Sequence, residues 1–545
     1  MPNGSADTAT FGQSNTRGVS ISANTEVNGI VFNSGANAFT ITASPTLTLT
    51  ISGVGITNNS GVTQNFVTGV DSSGNFGTIS FTNGATAGNM TVITNNGATV
   101  SGAGGGVTSF VDSSTAGSAT INNNGGTVSG AFLSQTNFGN TSTAGSATIN
   151  NNAATVTGAA SGGTFFVNSS SAGSATINNN GGTVSNGTIS GGFTEFRNTA
   201  TAASATLIAN SGISGGNGGT ILFEDDSTGG TARVEVFGNG NLDISDHNAP
   251  GMAIGSIEGP GNVFLGANNL TVGSNNLSTT LSGVIQDGGL NGGTGGSLTK
   301  IGTSTLTLSG ASTYTGPTTI DAGVLNVTGS ITSAVTVNGG GTLGTTQSLA
   351  LTSGGTLSGG GTTGSVTVNS GGIVAPTGQK REAPPPIPGL SATGNAVASA
   401  SFGALHVNGD YLQNAGGTLL LAIAGATPGS FDQLIVSGKI TLETGAILEL
   451  DFLNGFAPTK GEVFDLLSSG ISSITGTFTT VNLEGLAPGF EFDLAPGSNG
   501  TFDLTALNNG VPLSTSVPDT SSTAMLLMFS ITALFGLKLL LGQRA

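Results

Sequence analysis

The 545-residue chain contains no cysteine and no tryptophan, and only 7% of its residues are charged. Without cysteine the protein has neither disulfide bonds nor thiolate metal sites, and two histidines, His247 and His406, are too few for a histidine-based metal site. Ten Lys and Arg residues stand against 27 Asp and Glu residues, and their one adjacent pair is Lys380 and Arg381. This composition argues against nucleic-acid binding through phosphate neutralisation.

Apolar residues and glycines are abundant instead, and they recur along the chain. With 36% hydrophobic residues the chain exceeds what a solvated low-complexity polymer carries, so disorder of the main body is the disfavoured alternative. The hexapeptide Ala-Thr-Ile-Asn-Asn-Asn begins at Ala119, Ala147 and Ala175, 28 residues apart. Phenylalanines follow a similar step at Phe81, Phe110, Phe138, Phe166, Phe196 and Phe223. A repeat this short cannot bury its own apolar face, so it must stack on its neighbours.

One repeat, Gly106–Gly130, shows how the stack is built. We predict three short strands in it, around Val107, Ile121 and Val128, separated by Gly, Asn and Ser turns. If each coil lies on the last, residues 28 apart become neighbours at about 4.8 Å. The prediction is an all-β parallel β-helix with inward columns of Phe, Ile and Val. Asparagines one period apart are expected to form an amide ladder at one corner, at Asn124, Asn152 and Asn180.

Residues 296–327 carry a more specific pattern. Its characteristic positions are Gly296, Leu298, Lys300, Gly302, Leu306, Leu308, Gly310, Tyr314, Gly316, Thr318, Ile320, Gly323 and Leu325. This segment resembles the autotransporter-associated β-strand repeat of exported passenger domains. The resemblance implies that the parallel β-helix is right-handed, and it supplies no catalytic residue. Within the motif we expect Lys300 and Tyr314 to cover the coil with aliphatic and aromatic surface.

The C-terminal tail has three parts: the motif Val517, Pro518 and Asp519, an apolar run from Ala524 to Leu541, and a basic end with Lys538 and Arg544. It resembles the Val-Pro-Asp-Ser-Gly variety of exosortase sorting signal, with Thr520 and Ser521 in place of Ser and Gly. The resemblance implies an exosortase-like processing enzyme as partner. The 18-residue run is just long enough to cross a bilayer as a helix, and the basic end favours a cytoplasmic C-terminus. The alternative is a helix buried in the last coil.

These patterns divide the chain into six regions. We predict a β-helix start at 1–76, a β-helix with repeats of about 28 residues at 77–295, its continuation through the passenger-type repeat at 296–378, a Pro-rich loop or linker at 379–391, a C-terminal β domain at 392–510 and the sorting tail at 511–545. The first residues contain no basic segment followed by an apolar one, so the signal peptide that export requires is expected upstream of residue 1.

Acidic residues between Glu224 and His247 are the best candidates for chemistry. β-Helices also carry polysaccharide lyases and glycosidases, which need close carboxylates or a calcium site with a basic residue. Here Asp225, Asp226, Asp243 and Asp246 form a candidate calcium site, Glu224, Arg233 and His247 lie nearby in sequence, and an ordinary solvated turn with an ion pair is the alternative.

We therefore expect a non-enzymatic, exported β-helix scaffold of adhesin-like type, at the cell surface or in the extracellular matrix. It would need no cofactor, would be tethered to the membrane through its tail, and would contact extracellular polysaccharide. Two alternatives stay open, a polysaccharide-acting β-helix enzyme and a self-associating fibre protein.

Overall fold

The computed structural model describes residues 2–185, 191–331, 333–345, 349–351, 356–376, 402–497 and 500–513. These residues form β-strands, turns and loops, and no helix occurs among them. The predicted linker at 379–391 and the sorting tail from residue 514 onward, with Val517, Pro518, Asp519, Lys538 and Arg544, lie outside the described residues. No helix long and apolar enough to span a bilayer is found in the described part, and the predicted segment from Ala524 to Leu541 is outside it.

The strands are short and follow one another along the whole described chain. The first sixteen are β1 (Gly4–Phe11), β2 (Gly18–Ser20), β3 (Thr25–Phe32), β4 (Thr40–Ala43), β5 (Thr48–Asn58), β6 (Gln64–Thr68), β7 (Thr78–Phe81), β8 (Thr91–Asn95), β9 (Val107–Phe110), β10 (Thr120–Asn123), β11 (Ser134–Phe138), β12 (Thr148–Asn151), β13 (Gly162–Phe166), β14 (Thr176–Asn179), β15 (Phe193–Phe196) and β16 (Thr206–Ala209). The next thirteen are β17 (Thr220–Phe223), β18 (Arg233–Val236), β19 (Asn241–Asp243), β20 (Gly251–Ile254), β21 (Ser256–Glu258), β22 (Asn262–Phe264), β23 (Asn269–Val272), β24 (Thr279–Leu281), β25 (Val284–Gln286), β26 (Ser297–Lys300), β27 (Thr305–Leu308), β28 (Thr318–Val327) and β29 (Val335–Thr345). The last sixteen are β30 (Leu349–Leu351), β31 (Thr356–Ser358), β32 (Thr362–Thr363), β33 (Val366–Val368), β34 (Ile373–Ala375), β35 (Ala404–Val407), β36 (Tyr411–Gln413), β37 (Thr418–Ile423), β38 (Gln433–Val436), β39 (Ile440–Leu442), β40 (Ile447–Phe452), β41 (Val463–Ser469), β42 (Ile474–Gly476), β43 (Thr480–Glu484), β44 (Phe492–Pro496) and β45 (Thr501–Ala506).

The described residues form four sheets, and apart from the last hairpin each strand pairs with the strand one coil away. Sheet I has twelve strands in the order β1-β3-β5-β7-β9-β11-β13-β15-β17-β19-β22-β25, and sheet II has ten, β2-β4-β6-β8-β10-β12-β14-β16-β18-β21. Sheet III has eighteen strands between β20 and β45, and sheet IV has five, β30-β33-β36-β39-β42. Pairing between named strands is parallel throughout, except where β45 pairs antiparallel with β41 and β44. The prediction of an all-β solenoid with parallel sheets is confirmed.

The register places identical residues above one another. Ile121 pairs with Ile149, and Ile149 pairs with Ile177, all three fully buried. In sheet I the six predicted phenylalanines form a continuous ring stack. Successive ring centroids from Phe81 to Phe223 lie 4.6, 4.9, 4.7, 4.8 and 4.7 Å apart, with planes within 8° of parallel. The stack therefore follows the strand spacing of the parallel sheet.

The predicted third strand around Val128 is wrong. The third side of these coils is a ladder of single bridges, in which Thr115 pairs with Thr143 and Thr143 with Ser171. Val128 lies instead in a loop that projects sideways from each coil. These loops, which we call the lateral loops, form a second small apolar cluster from Ala98, Ala103, Ala131, Ala154 and Ala159. A short Thr-Val-Ser alternation is compatible with a strand or a loop. The flanking glycines favour the loop, since Gly130 has φ +78°.

Polar side chains also stack along the coils. The expected ladder exists, because Asn152 donates to Asn124 and Asn180 donates to Asn152, each at 2.9 Å. A second ladder runs inside the coil and was not predicted from the sequence. It joins the fully buried side chains of Asn95, Asn123, Asn151 and Asn179, at 2.7 to 2.8 Å. Its amides donate toward later coils, whereas those of the corner ladder donate toward earlier ones.

Lys300 and Tyr314 lie inside the coil, so the expectation that they cover its surface is wrong. Both side chains are fully buried. Lys300 Nζ donates to the carbonyl oxygens of Ile301, Gly302 and Ala322, at 2.6, 3.2 and 3.3 Å. Lys300 follows the inward Leu298 at the strand period of two, and these carbonyls are what make an inward ammonium tolerable.

The coils become smaller beyond the ring stack. Thr220 pairs with Asn241 and Asn241 with Asn262, steps of 21 residues instead of the predicted repeat of about 28. The lateral loop is missing from these coils, which accounts for the difference. The region predicted as a separate C-terminal β domain extends sheets III and IV, since β35 pairs with β32 and β36 with β33. One hydrophobic core runs through all of these coils.

Candidate functional site

The predicted acidic residues come together where β17 and β19 end. Glu224, Asp225 and Asp226 follow β17, and Asp246 and His247 follow β19 one coil later, with Asp225 bridged to His247. Their approach follows from the coil register.

Each of the four aspartates of the candidate calcium site is engaged by different protein donors. Asp225 accepts from the backbone N–H of Asn198 at 2.8 Å, and Asp226 accepts from the amide of Asn248 at 3.1 Å. Asp243 accepts from the backbone N–H groups of Ser245 and Leu290, both at 2.8 Å, and Asp246 accepts from the amide of Asn291 at 2.7 Å. No group of three or more possible metal ligands occurs among the described residues. These carboxylates shape turns and loops.

The imidazole ring of His247 also contacts the backbone. Its Nδ1 lies 2.7 Å from the carbonyl oxygen of Asn248, and its Nε2 lies 2.7 Å from that of Ser227. Both ring nitrogens thus face backbone carbonyl oxygens.

The arginines are distributed differently from the sequence prediction. Arg233 begins β18 in sheet II and pairs with Glu235 and Glu258, away from the predicted cluster. Its hydrogen bond to Glu258 raises the pKa of Arg233. The cation beside Glu224 is Arg197, whose Nε lies 3.1 Å from the Glu224 carboxylate and also contacts Glu195. Arg197 stands 27 residues before Glu224, and that one-coil spacing is the signal that could have identified it.

Glu224 is partly screened from water beside Arg197. Burial raises the pKa of Glu224, Arg197 opposes the rise, and the carboxylate of Asp246 adds to it. The net direction is upward, because desolvation disfavours the charged form.

A cleft opens on the outer face of sheet I next to these residues. Its cavity measures about 210 Å³. The apolar wall consists of Phe193, Leu222, Phe264 and Leu290. Thr220, Asn241 and Asp243 supply polar groups on the same wall. A smaller cavity of about 130 Å³ adjoins it and shares Leu222, Asp243 and Leu290 with it.

Strand register explains why the cleft combines these residue types. Leu222, Asp243 and Phe264 are partners on three successive strands of sheet I, β17, β19 and β22. They point outward because their sequence neighbours Ile221, Leu242 and Val263 are fully buried inside the coil. The cleft floor is therefore a column of outward residues.

The loop 287–296 forms the rim of the cleft, and we call it the rim loop. After β25 the chain folds back over two coils, and Leu290 N donates to Asp243 Oδ2 in β19. Asn291 N donates to Ser245 Oγ at 3.0 Å. Gly289 has φ +113°, and a Cβ there would lie 2.6 Å from Asp243 Oδ1. Glycine is thus required where the rim loop meets the floor.

Comparison with known families identifies two short segments of the chain. Residues 298–327 match the model of the passenger-associated-transport-repeat. Residues 516–538 match the model of the VPDSG-CTERM motif. The two resemblances inferred from the sequence, to a passenger-type repeat and to a sorting signal, are therefore confirmed. The matched repeat contains Lys300 and Tyr314, which the structure places in the core.

Other comparisons add little. No curated protein matches the chain. Among solved structures, the crystal structure of the Haemophilus influenzae Hap adhesin is similar with 13% identity and a TM-score of 0.23. The match covers 90% of this chain and 64% of that chain. A TM-score of 0.23 is too low to define a common fold.

Proposed function

We propose that this protein is a non-enzymatic, adhesin-like β-helix scaffold, exported and held at the cell surface or in the surrounding matrix. One observation carries the proposal. A single hydrophobic core joins coils from the first strands to β45, and the tail that follows matches a sorting motif. A continuous solenoid of stacked coils is suited to presenting surface over a long distance.

Handedness and anchoring complete the proposal. We take the coil to be right-handed, as the resemblance implies, since parallel strands joined by crossovers are almost always connected that way. The apolar run Ala524–Leu541 would hold the chain in the membrane as a helix, and an exosortase-like enzyme would act at Val517–Asp519. The sorting-motif match over 516–538 supports sorting by this tail.

The arrangement of the acidic residues favours a scaffold over an enzyme. Asp225 and Asp243 accept hydrogen bonds from backbone N–H groups, and both nitrogens of His247 face carbonyl oxygens. Arg233 is on another sheet. A glycosidase or lyase needs carboxylates or a base directed at substrate, and the groups predicted for that role are engaged in holding turns.

Location and processing of the tail test the proposal. The full chain, expressed with an upstream signal peptide in a host that has an exosortase, is fractionated, and the mature C-terminus is determined by mass spectrometry. We expect surface or extracellular protein with its C-terminus near Val517–Asp519. Alanine at Val517, Pro518 and Asp519 should retain the uncut chain in the membrane fraction. Alanine at Ser514 and Thr515, just before the motif, is the control and should be processed normally. An uncut protein in the cytoplasm would refute the proposal.

A further inference from the structure

We propose that the cleft on the outer face of sheet I binds a neutral hexopyranose unit of a polysaccharide. The cleft combines a half-buried aromatic ring, that of Phe264, with the exposed side chain of Leu290 across the floor residue Leu222. A pyranose ring has an apolar C–H face and a rim of hydroxyl groups. An apolar wall with a few converging polar groups is complementary to such a molecule.

The polar groups of the cleft include both hydrogen-bond donors and hydrogen-bond acceptors. Asn241 uses its Oδ1 to accept from Asn262 at 3.0 Å, while its Nδ2 finds no acceptor among the described residues. Asp243 accepts one backbone N–H on each carboxylate oxygen, which leaves a further lone pair on each. A sugar hydroxyl is a donor and an acceptor at once, so it can donate to Asp243 and accept from Asn241. The hydroxyl of Thr220 can serve either need.

Size favours one sugar ring in the main cavity. A cavity of about 150 Å³ holds a benzene molecule, so the cleft, at about 210 Å³, has room for one six-membered ring with substituents. The adjoining cavity of about 130 Å³ allows the chain to continue past Leu290. Both cavities are open to solvent, as a unit within a polymer requires.

Charge selects a neutral ring over a uronate. Asp243 lines the main cavity, and Glu224 and Asp246 line the adjoining one. Arg197, the cation beside Glu224, is already paired with Glu195 and Glu224. A carboxylate on the ligand would therefore meet like charges without a free cation to pair with.

The inference names a ligand for the surface-displayed scaffold and in that sense rests on the proposed function. The measurements are separate, however, because binding is tested on purified protein and location is tested in cells. Failure of one leaves the other standing.

Calorimetric titration of the purified full chain in mild detergent tests the proposal. The probes are cellohexaose and mannohexaose, with hexagalacturonate as the anionic comparison, each at millimolar concentration. We expect at least one neutral probe to bind and hexagalacturonate not to bind. Asn241→Ala and Leu290→Ser should each weaken binding about tenfold or more, which corresponds to about 1.4 kcal/mol.

Matched controls separate loss of the site from loss of the fold. Leu277→Ser changes a leucine of comparable exposure elsewhere, and Asn122→Ala changes an asparagine on the outer face of sheet II. Both should bind as the unmodified chain does, and all four variants should keep its β-sheet circular dichroism. Three results would overturn the proposal: no binding of either neutral probe, binding unchanged in both cleft variants, or tighter binding of hexagalacturonate.

Discussion

The side-chain amide of Asn123 donates to Oδ1 of Asn151, 2.8 Å away and one coil further along, in the fully buried interior of the solenoid. Asn123 satisfies its whole side chain in this way. It also donates to the carbonyl oxygen of Gly163 at 3.0 Å, and it accepts from Asn95 at 2.7 Å and Thr136 at 2.9 Å. A buried amide with this many partners stabilises a unique register, because any shift leaves donors unpaired.

Asn151→Ala should destabilise the solenoid by about 3 kcal/mol, because it removes the acceptor of one hydrogen bond from the buried Asn123 amide and of the hydrogen bond from the buried Thr164 hydroxyl, at roughly 1–3 kcal/mol each. The urea midpoint measures the change. Asn150→Ala is the control, since Asn150 is the adjacent residue and belongs to an outer, half-buried amide row. Asn150→Ala should lower the free energy of unfolding clearly less than Asn151→Ala does. Equal decreases for the two variants would show that burial of the inner ladder has no special effect.

Phe138→Ala should cost about 3–5 kcal/mol, because it removes a fully buried ring from the middle of the stack and leaves a cavity. The matched control is Phe132→Ala, in the same coil but 60% exposed, and its effect should stay within about 0.5 kcal/mol. Both are measured by thermal and urea unfolding. Similar shifts for the two variants would contradict the stack as the centre of the core.

The inner ladder ends at Asn179, whose Nδ2 has no hydrogen-bond partner among the described residues. Its register partner in the next coil is Ala209, and the position equivalent to Thr194 is Ile221. Ala209→Asn alone should destabilise, because it buries an amide without its threonine. The double variant with Ile221→Thr should lose less free energy of unfolding than the sum of the losses of the two single variants. We expect a coupling of about 0.5–3 kcal/mol in a double-mutant cycle. Strictly additive effects of the two substitutions would contradict this extension of the ladder.

Lys300 should make the free energy of unfolding depend on pH in the alkaline range. Burial lowers the pKa of Lys300 in the folded protein, whereas the unfolded chain keeps a value of about 10.4. Between these two values the unfolded state binds more protons, so the free energy of unfolding rises with pH in that window. At neutral pH the cost of the buried ammonium is fully present.

The variant Lys300→Met isolates this effect. It keeps an apolar stem and removes the titrating group, and it also leaves three carbonyls without their donor. The urea midpoint of the unmodified chain should rise relative to that of Lys300→Met when the pH is raised from 7 to 10. A constant difference would mean that Lys300 does not titrate in this range.

Sequence periodicity predicted the columns of the core and missed what lies between them. Ile121 and Phe138 recur at a fixed step, so their stacking follows directly. Asn123 could have been placed inside, since it stands two residues after the inward Ile121 on the same strand. The prediction misses Asn123 because asparagine is typical of turns and corners. Lys300 obeys the same alternation, but its inward position depends on three carbonyls that only the folded chain brings together.

The cleft was beyond prediction from the sequence, for a physical reason. Its floor follows from register, but its rim depends on how far back the loop after β25 folds. A glycine-rich segment with five left-handed glycines, Gly288, Gly289, Gly292, Gly293 and Gly295, has many possible courses. The hydrogen bond from Leu290 to Asp243 selects one of them. The acidic residues were correctly predicted to approach each other, yet the sequence did not indicate that loop donors would occupy them.

The coil from Phe166 to Phe196 is two residues longer than the coil before it and three residues longer than the coil after it, yet its two rings stay 4.8 Å apart and within 8° of parallel. The extra residues lie between Asn180 and Phe193 in the sequence, at chain positions that correspond in the preceding coils to the side with the lateral loops. Changes in chain length on that side therefore leave the stacked interior undisturbed. Over evolutionary time, or in the laboratory, new recognition sequences could be grafted there one coil at a time.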